Sequence, residues 1–343
     1  MPFRTIIWLI LSGCLVAAQA QQMEIKMATL APKDSPWCDV LERMGEKWRA
    51  ISKGNIKLVI YPGGVMGDEP DTVNKLRIKL IQAVALTGAG MGDIEPGVAC
   101  LQIPLMFESY EELDYVRDRI APKLEKRIDA SGYLVLNWGD AGWVHFFSNK
   151  KVTGLDDLRK LRLFTWAGSN DELELWKANG FRPVPLAATD IQMALKTQLI
   201  DVIPTTPLYA EWNQCFTLAK FMNDVKWAPL VGATIISKAA WEKIPEAQRG
   251  PMLQAARDSG EQLRTGIRSM GDKAIATMTA GLPGKRMDRL TITHADASVL
   301  ADWRRQTEAA YPKMRGKLIP ADLFDEVQRL RDEYRARVKS ATK

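Results

Sequence analysis

Histidine is almost missing from this 343-residue sequence, which has only His145 and His294. A histidine-based triad or metal centre has little to draw on, and other catalytic patterns are absent too. There is no Gly-x-Ser-x-Gly elbow, no His-Glu-x-x-His, no phosphate loop ending in Gly-Lys-Ser or Gly-Lys-Thr, and no cysteine cluster suited to zinc. His145, within Trp143-Val144-His145-Phe146-Phe147, reads as a core or cleft-wall residue rather than a base. The acidic pairs Asp156-Asp157 and Glu111-Glu112 stand where helices start, and capping accounts for them. Gly88-Ala89-Gly90-Met91-Gly92-Asp93 follows a strand but lacks the last glycine of a dinucleotide fingerprint, and Pro96-Gly97 would break a helix opening there. It reads as a loop lining a cleft. Enzymatic activity, a metal and a cofactor are therefore not expected.

Like charges never run to five or six in a row, and the net charge of +6 is modest and spread out, so nucleic acid is not an expected partner. Cysteine is scarce: beyond Cys14 there are Cys38, Cys100 and Cys215, with no paired metal-ligand spacing. They read as buried thiols or as one disulfide plus an odd thiol. Past the N-terminus no stretch reaches the about 18 consecutive apolar residues of a membrane span.

The N-terminus reads as an export signal over 1–20. A positive charge at Arg4 precedes an apolar core over 5–17, and Ala18-Gln19-Ala20 forms a small-x-small cleavage site. Leu11-Ser12-Gly13-Cys14 also has the form of a lipoprotein box, although the residues after Cys14 stay apolar. A periplasmic location follows, with lipid anchoring at Cys14 as the lesser option.

Hydrophobic residues at 46% and charged residues at 26% are those of a globular chain long enough for two domains. Eleven tryptophans against seven tyrosines is the unusual count. The mature chain opens with an alternating strand over 23–30, a helix over 36–52, a strand over 56–61, a helix over 69–80 and a strand over 83–87. A second such series occupies 154–207: a strand over 161–166, a helix over 171–179, an extended run near Val184, a helix over 189–197 and a strand over 200–203. Alternation puts Arg162, Phe164 and Trp166 on one face of its first strand. Strand-helix-strand series build parallel sheets with a ligand crevice at the strand ends, and two in tandem suggest two similar lobes.

Tyr61-Pro62-Gly63-Gly64 with Gly67 and Glu69, Leu101-Gln102-Ile103-Pro104-Leu105-Met106-Phe107, Asp157-Leu158-Arg159-Lys160-Leu161-Arg162-Leu163, and Pro183-Val184-Pro185-Leu186 followed by Ala194-Leu195-Lys196-Thr197 and Asp201 all run collinearly. In these segments the chain resembles the DctP-like solute-binding proteins of tripartite ATP-independent periplasmic (TRAP) transporters. The resemblance implies an α/β, two-lobe periplasmic binding protein, type II-like, with a hinge cleft, crossing segments and long C-terminal helices. It implies lobe I at 21–143 plus about 228–270, lobe II at 144–227 plus about 271–310, and a C-terminal helix at 311–343 packing on both lobes. It also implies TRAP membrane permease subunits as partners.

In most of that family an arginine that forks onto a ligand carboxylate stands where this chain has Phe164. A two-residue slip would let Arg162 replace it, at the cost of misplacing Asp157, Leu158 and Leu161. Trp166 with Ala167, Gly168 and Asp171, Val144-His145-Phe146-Phe147-Ser148-Asn149-Lys150 and the run from Gly232 to Trp241 are similar to the branch associated with tetratricopeptide-repeat lipoproteins. That resemblance implies such a partner and a hydrophobic ligand.

The residues themselves point the same way, because a phenyl ring in place of a guanidinium removes charge and adds apolar wall. The expected ligand-binding set is Trp37, Thr87, Met91, Trp138, Trp143, Phe164, Trp166, Thr206, Tyr209 and Trp212, around a hydrophobic, aromatic or lipid-like solute. Two alternatives stay open: a carboxylate held by Arg162 or another cation, and a quaternary amine in an aromatic box.

Overall fold

The structure, a computed structural model, describes residues 22–168, 170–281 and 289–341. The expected export signal and Cys14 lie outside the described residues, as does the expected break at Leu282-Pro283-Gly284.

In chain order the first series is β1 (Met23–Thr29), α1 (Pro36–Ile51), β2 (Ile56–Tyr61), α2 (Glu69–Arg77), β3 (Ala83–Thr87) and α3 (Gly88–Gly92). A 3-10 turn, Pro96–Gln102, leads to α4 (Tyr110–Ala130) and the long β4 (Tyr133–Ser148). The second series is α5 (Leu155–Arg159), β5 (Arg162–Trp166), α6 (Asn170–Ala178), β6 (Arg182–Leu186), α7 (Ile191–Lys196), β7 (Val202–Thr205) and α8 (Pro207–Trp212). Then come β8 (Phe221–Ser237), α9 (Lys238–Trp241), α10 (Glu246–Ala280), β9 (Thr291–Thr293), α11 (Ala297–Glu308), α12 (Tyr311–Met314) and α13 (Ala321–Ala341).

Local chemistry starts the helices where the sequence puts capping residues. The Ser35 side chain accepts from Cys38 N–H ahead of Pro36, Asp68 and Asp71 form a capping box on α2, and Ser109 caps α4. The segment read as a loop at 88–93 is instead the short helix α3, because Thr87 caps it and Glu69 accepts the Gly90 N–H.

All strands belong to one sheet in the order β2-β1-β3-β8-β4-β7-β5-β6, with β9 beside β8. Its two outer parts, β2-β1-β3 and β7-β5-β6, are the parallel cores of two lobes. The two long strands, β4 and β8, run antiparallel through both: β8 pairs β3 at its far end and β9 at its start, and β4 pairs β7 at 145–148. Their ladder shifts register between Val135 and Asn137, between Asp140 and Trp143, and between Val144 and Phe146.

The long helix α10 packs on α1 and β4 and reaches α8, so it touches both series. The C-terminal helix α13, expected on both lobes, lies along α4 and the Pro96–Gln102 turn, burying Leu323, Phe324, Val327 and Leu330. The middle of β4 is fastened to these helices by charge. Arg268 of α10 bonds Asp140 Oδ2 at 2.7 Å and both Asp114 oxygens at 2.7 and 2.8 Å, while Arg117 reaches Asp114 at 2.9 Å. Cys38, Cys100 and Cys215 are buried free thiols.

Candidate functional site

The ends of β1, β3, β5 and β7 meet the middle of β4 and β8 around an apolar cavity of about 110 Å³. Each contributor has a local reason to be there. β1 ends at Thr29, Leu30 follows it, and Trp37 stands in the first turn of α1 after Pro36, and all three line the cavity. Thr206 caps α8 by accepting the Tyr209 N–H at 3.4 Å, and the three-residue spacing places Tyr209 and Trp212 on one helix face. Phe164 and Trp166 alternate on β5 with ring centroids 5.3 Å apart, edge to face. From the crossing strands come Asn137, Gly139 and Ala141 of β4 and Gly232 and Thr234 of β8. Leu263 of α10 also lines the cavity, and Trp37 and Trp212 pack on the cluster around it.

Of the ten residues expected to meet ligand, Trp37, Thr87, Phe164, Trp166, Thr206, Tyr209 and Trp212 line this cavity. The other three lie elsewhere. Met91 is fully buried among Val73, Leu76 and Val98. Trp138 packs toward α4, where its Nε1 donates to Glu125 at 2.9 Å. Trp143 is buried against Tyr110, with Lys226 5.6 Å from its ring centroid. The alternation of β4 fails between Asp140 and Trp143, and Gly142 there takes φ +97°, so Trp143 does not continue the face of Gly139 and Ala141.

No lysine, arginine or histidine is among the described residues lining the cavity. Arg162 lines neither this cavity nor its neighbour, because Asp201 holds it through Nε–Oδ2 at 2.7 Å and Nη2–Oδ1 at 2.8 Å. In this arrangement the Arg162 guanidinium is turned to Asp201 and not to the cavity. His145 is buried with its pKa lowered to about 4, chiefly by desolvation, and stays neutral.

The acid in the wall is Glu69, which in the sequence starts a helix and belongs to the family-like Tyr61-Pro62-Gly63-Gly64 segment but is not among the residues expected to meet ligand. It accepts from Thr87 N–H at 2.7 Å, Thr87 Oγ1 at 2.8 Å and Gly90 N–H at 2.7 Å. Burial outweighs these donors and pushes its pKa up to about 7. The signal was there in Asp68-Glu69-Pro70, a carboxylate one residue past a cap and before a proline.

A second, larger cavity of about 760 Å³ lies on the other side of a shared wall of Phe164, Trp166, Pro204, Thr205 and Leu230. Arg159 and Lys317 border it, but Arg159 is engaged with Asp156, the Asn179 carbonyl and Gln306.

Residues 27–317 match the family described as bacterial extracellular solute-binding protein, family 7, DctP. This chain belongs to that family. DctP-family chains are solute-binding proteins of transport systems rather than enzymes, and those of TRAP transporters work with membrane permease subunits. Among its relatives are a solute-binding protein of Chromohalobacter salexigens, 22% identical over 252 residues covering 73% of this chain and 74% of that one, and the sialic acid-binding periplasmic protein SiaP of Vibrio cholerae, 21% identical over 253 residues covering 69% and 74%. Two solved structures have the same fold. A TRAP periplasmic solute-binding protein of Ralstonia eutropha with bound (S)-2-acetolactate has a TM-score of 0.82 at 21% identity, covering 90% of this chain and 99% of that one. The sugar acid binding protein of Advenella mimigardefordensis in complex with galactonate has a TM-score of 0.83 at 16% identity, covering 91% and 99%. In this DctP-family chain no helix among the described residues is long and apolar enough to cross a membrane.

Proposed function

We propose that this DctP-family chain captures a small, uncharged and mainly apolar solute between its lobes and presents it to TRAP permease subunits. The observation that carries the reading is the make-up of the cavity wall: five aromatic side chains, one carboxyl and no cation among the described residues. Sialic acid, galactonate and acetolactate, named for the relatives, are carboxylates. An unpaired carboxylate in such a wall would keep a desolvation penalty of several kcal/mol, and Glu69 in its ionised form would repel it. Apolar surface, by contrast, gains roughly 25 cal/mol per Å² on leaving water. Trp37, Phe164, Trp166, Tyr209 and Trp212 would supply that contact, with Thr87 and Thr206 at its edge. The hinge is placed near 143–144 and 227–228, between lobes at 21–143 plus about 228–270 and at 144–227 plus about 271–310. The register shift of β4 at Asp140 to Trp143 supports this placement. Export by the segment 1–20 and a tetratricopeptide-repeat lipoprotein partner belong to the same reading.

The test is to denature the purified protein, extract it with organic solvent and identify what is released by mass spectrometry. A stoichiometric neutral apolar molecule supports the proposal. A stoichiometric carboxylic acid overturns it.

A further inference from the structure

One buried hydrogen bond crosses the cleft at the edge of the apolar cavity. On the first lobe Asp68, 5% exposed, caps α2: its Oδ1 accepts the Glu69 N–H at 2.9 Å, while its own N–H donates to Asp71 Oδ2 at 3.2 Å. Its second oxygen, Oδ2, accepts the N–H of Ala188 on the second lobe at 2.8 Å. Ala188 opens the turn that leads into α7, and its carbonyl accepts the Tyr209 hydroxyl at 3.2 Å. The two chains come close on either side of this bond. A Cβ on Gly64, itself at φ +74°, would meet Thr189 Cγ2 at 2.9 Å, and one on Gly168 would meet Pro70 at 3.9 Å.

We propose that Asp68 is the latch of the cleft, a positioning residue that holds the closed arrangement by accepting Ala188 N–H. Three features support the role. The capping bonds fix the Asp68 side chain in advance, so little rotamer freedom is lost when the lobes meet. The acceptor is a carboxylate oxygen, which makes short and strong bonds with N–H groups. Ala188 and Tyr209 also line the cavity, so a solute packed against them and the latch favour the same closed state.

Two variants isolate the bond. Asp68→Asn keeps a good helix cap, since asparagine caps as well as aspartate, but turns an amide toward Ala188 N–H if its oxygen stays on Glu69. Ala188→Pro removes only the donor. Proline suits the first position of a helical turn, and the preceding Ala187, at φ −69° and ψ 145°, already has the backbone a following proline requires.

The full-length protein is spin-labelled at Lys57→Cys on β2 and Lys196→Cys on α7, and the distance distribution is measured without ligand. Release of the neutral dye N-phenyl-1-naphthylamine is measured in parallel. Each variant is expected to lower the closed-to-open ratio about tenfold and to release the dye about tenfold faster, with cooperative melting retained. Distance distributions and release rates that superimpose on those of the parent protein in both variants overturn the latch. The dye measurement rests on the apolar-solute reading. A parent protein that does not bind the dye counts against that reading, and the label distances then decide the latch alone.

Discussion

Arg162 and Asp201 face each other through a forked pair of hydrogen bonds, 2.7 and 2.8 Å long, and Asp201 also accepts from the Arg162 N–H at 3.0 Å and from Asn149 Nδ2 at 3.0 Å. The guanidinium nearest the shared aromatic wall in sequence is therefore committed to structure.

Arg162→Ala should leave solute affinity unchanged and lower the melting temperature only slightly, as for a solvent-exposed guanidinium. The Arg162 guanidinium holds the Asp201 pKa well below the usual carboxylate range. A carboxyl with a depressed folded pKa stabilises above its unfolded value, about 4, and that contribution fades as pH falls. The gap between parent and variant should therefore shrink as melting is followed below pH 4. A gap that is the same at pH 3 and pH 7 would assign the loss to packing.

Phe164→Arg places a cation in the shared wall, where Phe164 is 1% exposed. Alone it should destabilise by about 3–5 kcal/mol, the cost of an uncompensated buried charge. Added succinate should raise the melting temperature of the variant but not of the parent protein. Equal shifts in both would show that Phe164 does not set the ligand's charge.

Trp166→Ala should join the two cavities, because Trp166 lines both. In a series of neutral 1-alkanols the longest chain that raises the melting temperature should lengthen by several carbons. An unchanged cut-off would mean that the wall does not limit ligand length.

The Glu69 pKa of about 7 is raised in the folded protein. Between the unfolded value near 4.3 and 7 the folded state binds the extra proton, so this group's contribution to stability falls as pH rises through that window and is flat above it. Glu69→Gln should flatten the pH dependence of stability between 5 and 7, as read by urea denaturation. Parallel profiles for parent and variant would place the proton elsewhere.

Regular elements were legible in the sequence, because period and caps coincide there. The strand at 161–166, expected from alternation, is β5 at 162–166, and Phe164 and Trp166 take the shared face; Arg162 begins the same strand but lies at its exposed start. What was hidden depends on departures from regularity. The register shift at Asp140 to Trp143 reverses which side of β4 a residue occupies, so Trp143 could not be placed by counting, whereas Trp138 lies before the shift and alternates away from the cavity-lining Asn137 and Gly139. Met91 reads as a loop residue until Thr87 and Glu69, brought together only by the fold, cap the turn that buries it. The second use of Asp68, beyond capping α2, was not visible in sequence, because that acceptor role is completed by Ala188, 120 residues downstream.

The pairing of β3 with β8 has a consequence for the order in which the molecule can form. Ala83 lies opposite Ile236, so the sheet of the first lobe gains its neighbouring strand only from a segment made some 150 residues later. Loops of that length close slowly, and contacts so distant in sequence delay folding. A chain truncated before residue 221 would expose the edge of β3 and most of one side of β4, a template for aggregation rather than a half-built lobe. The two long strands that run through both halves of the sheet also keep either half from maturing without the other.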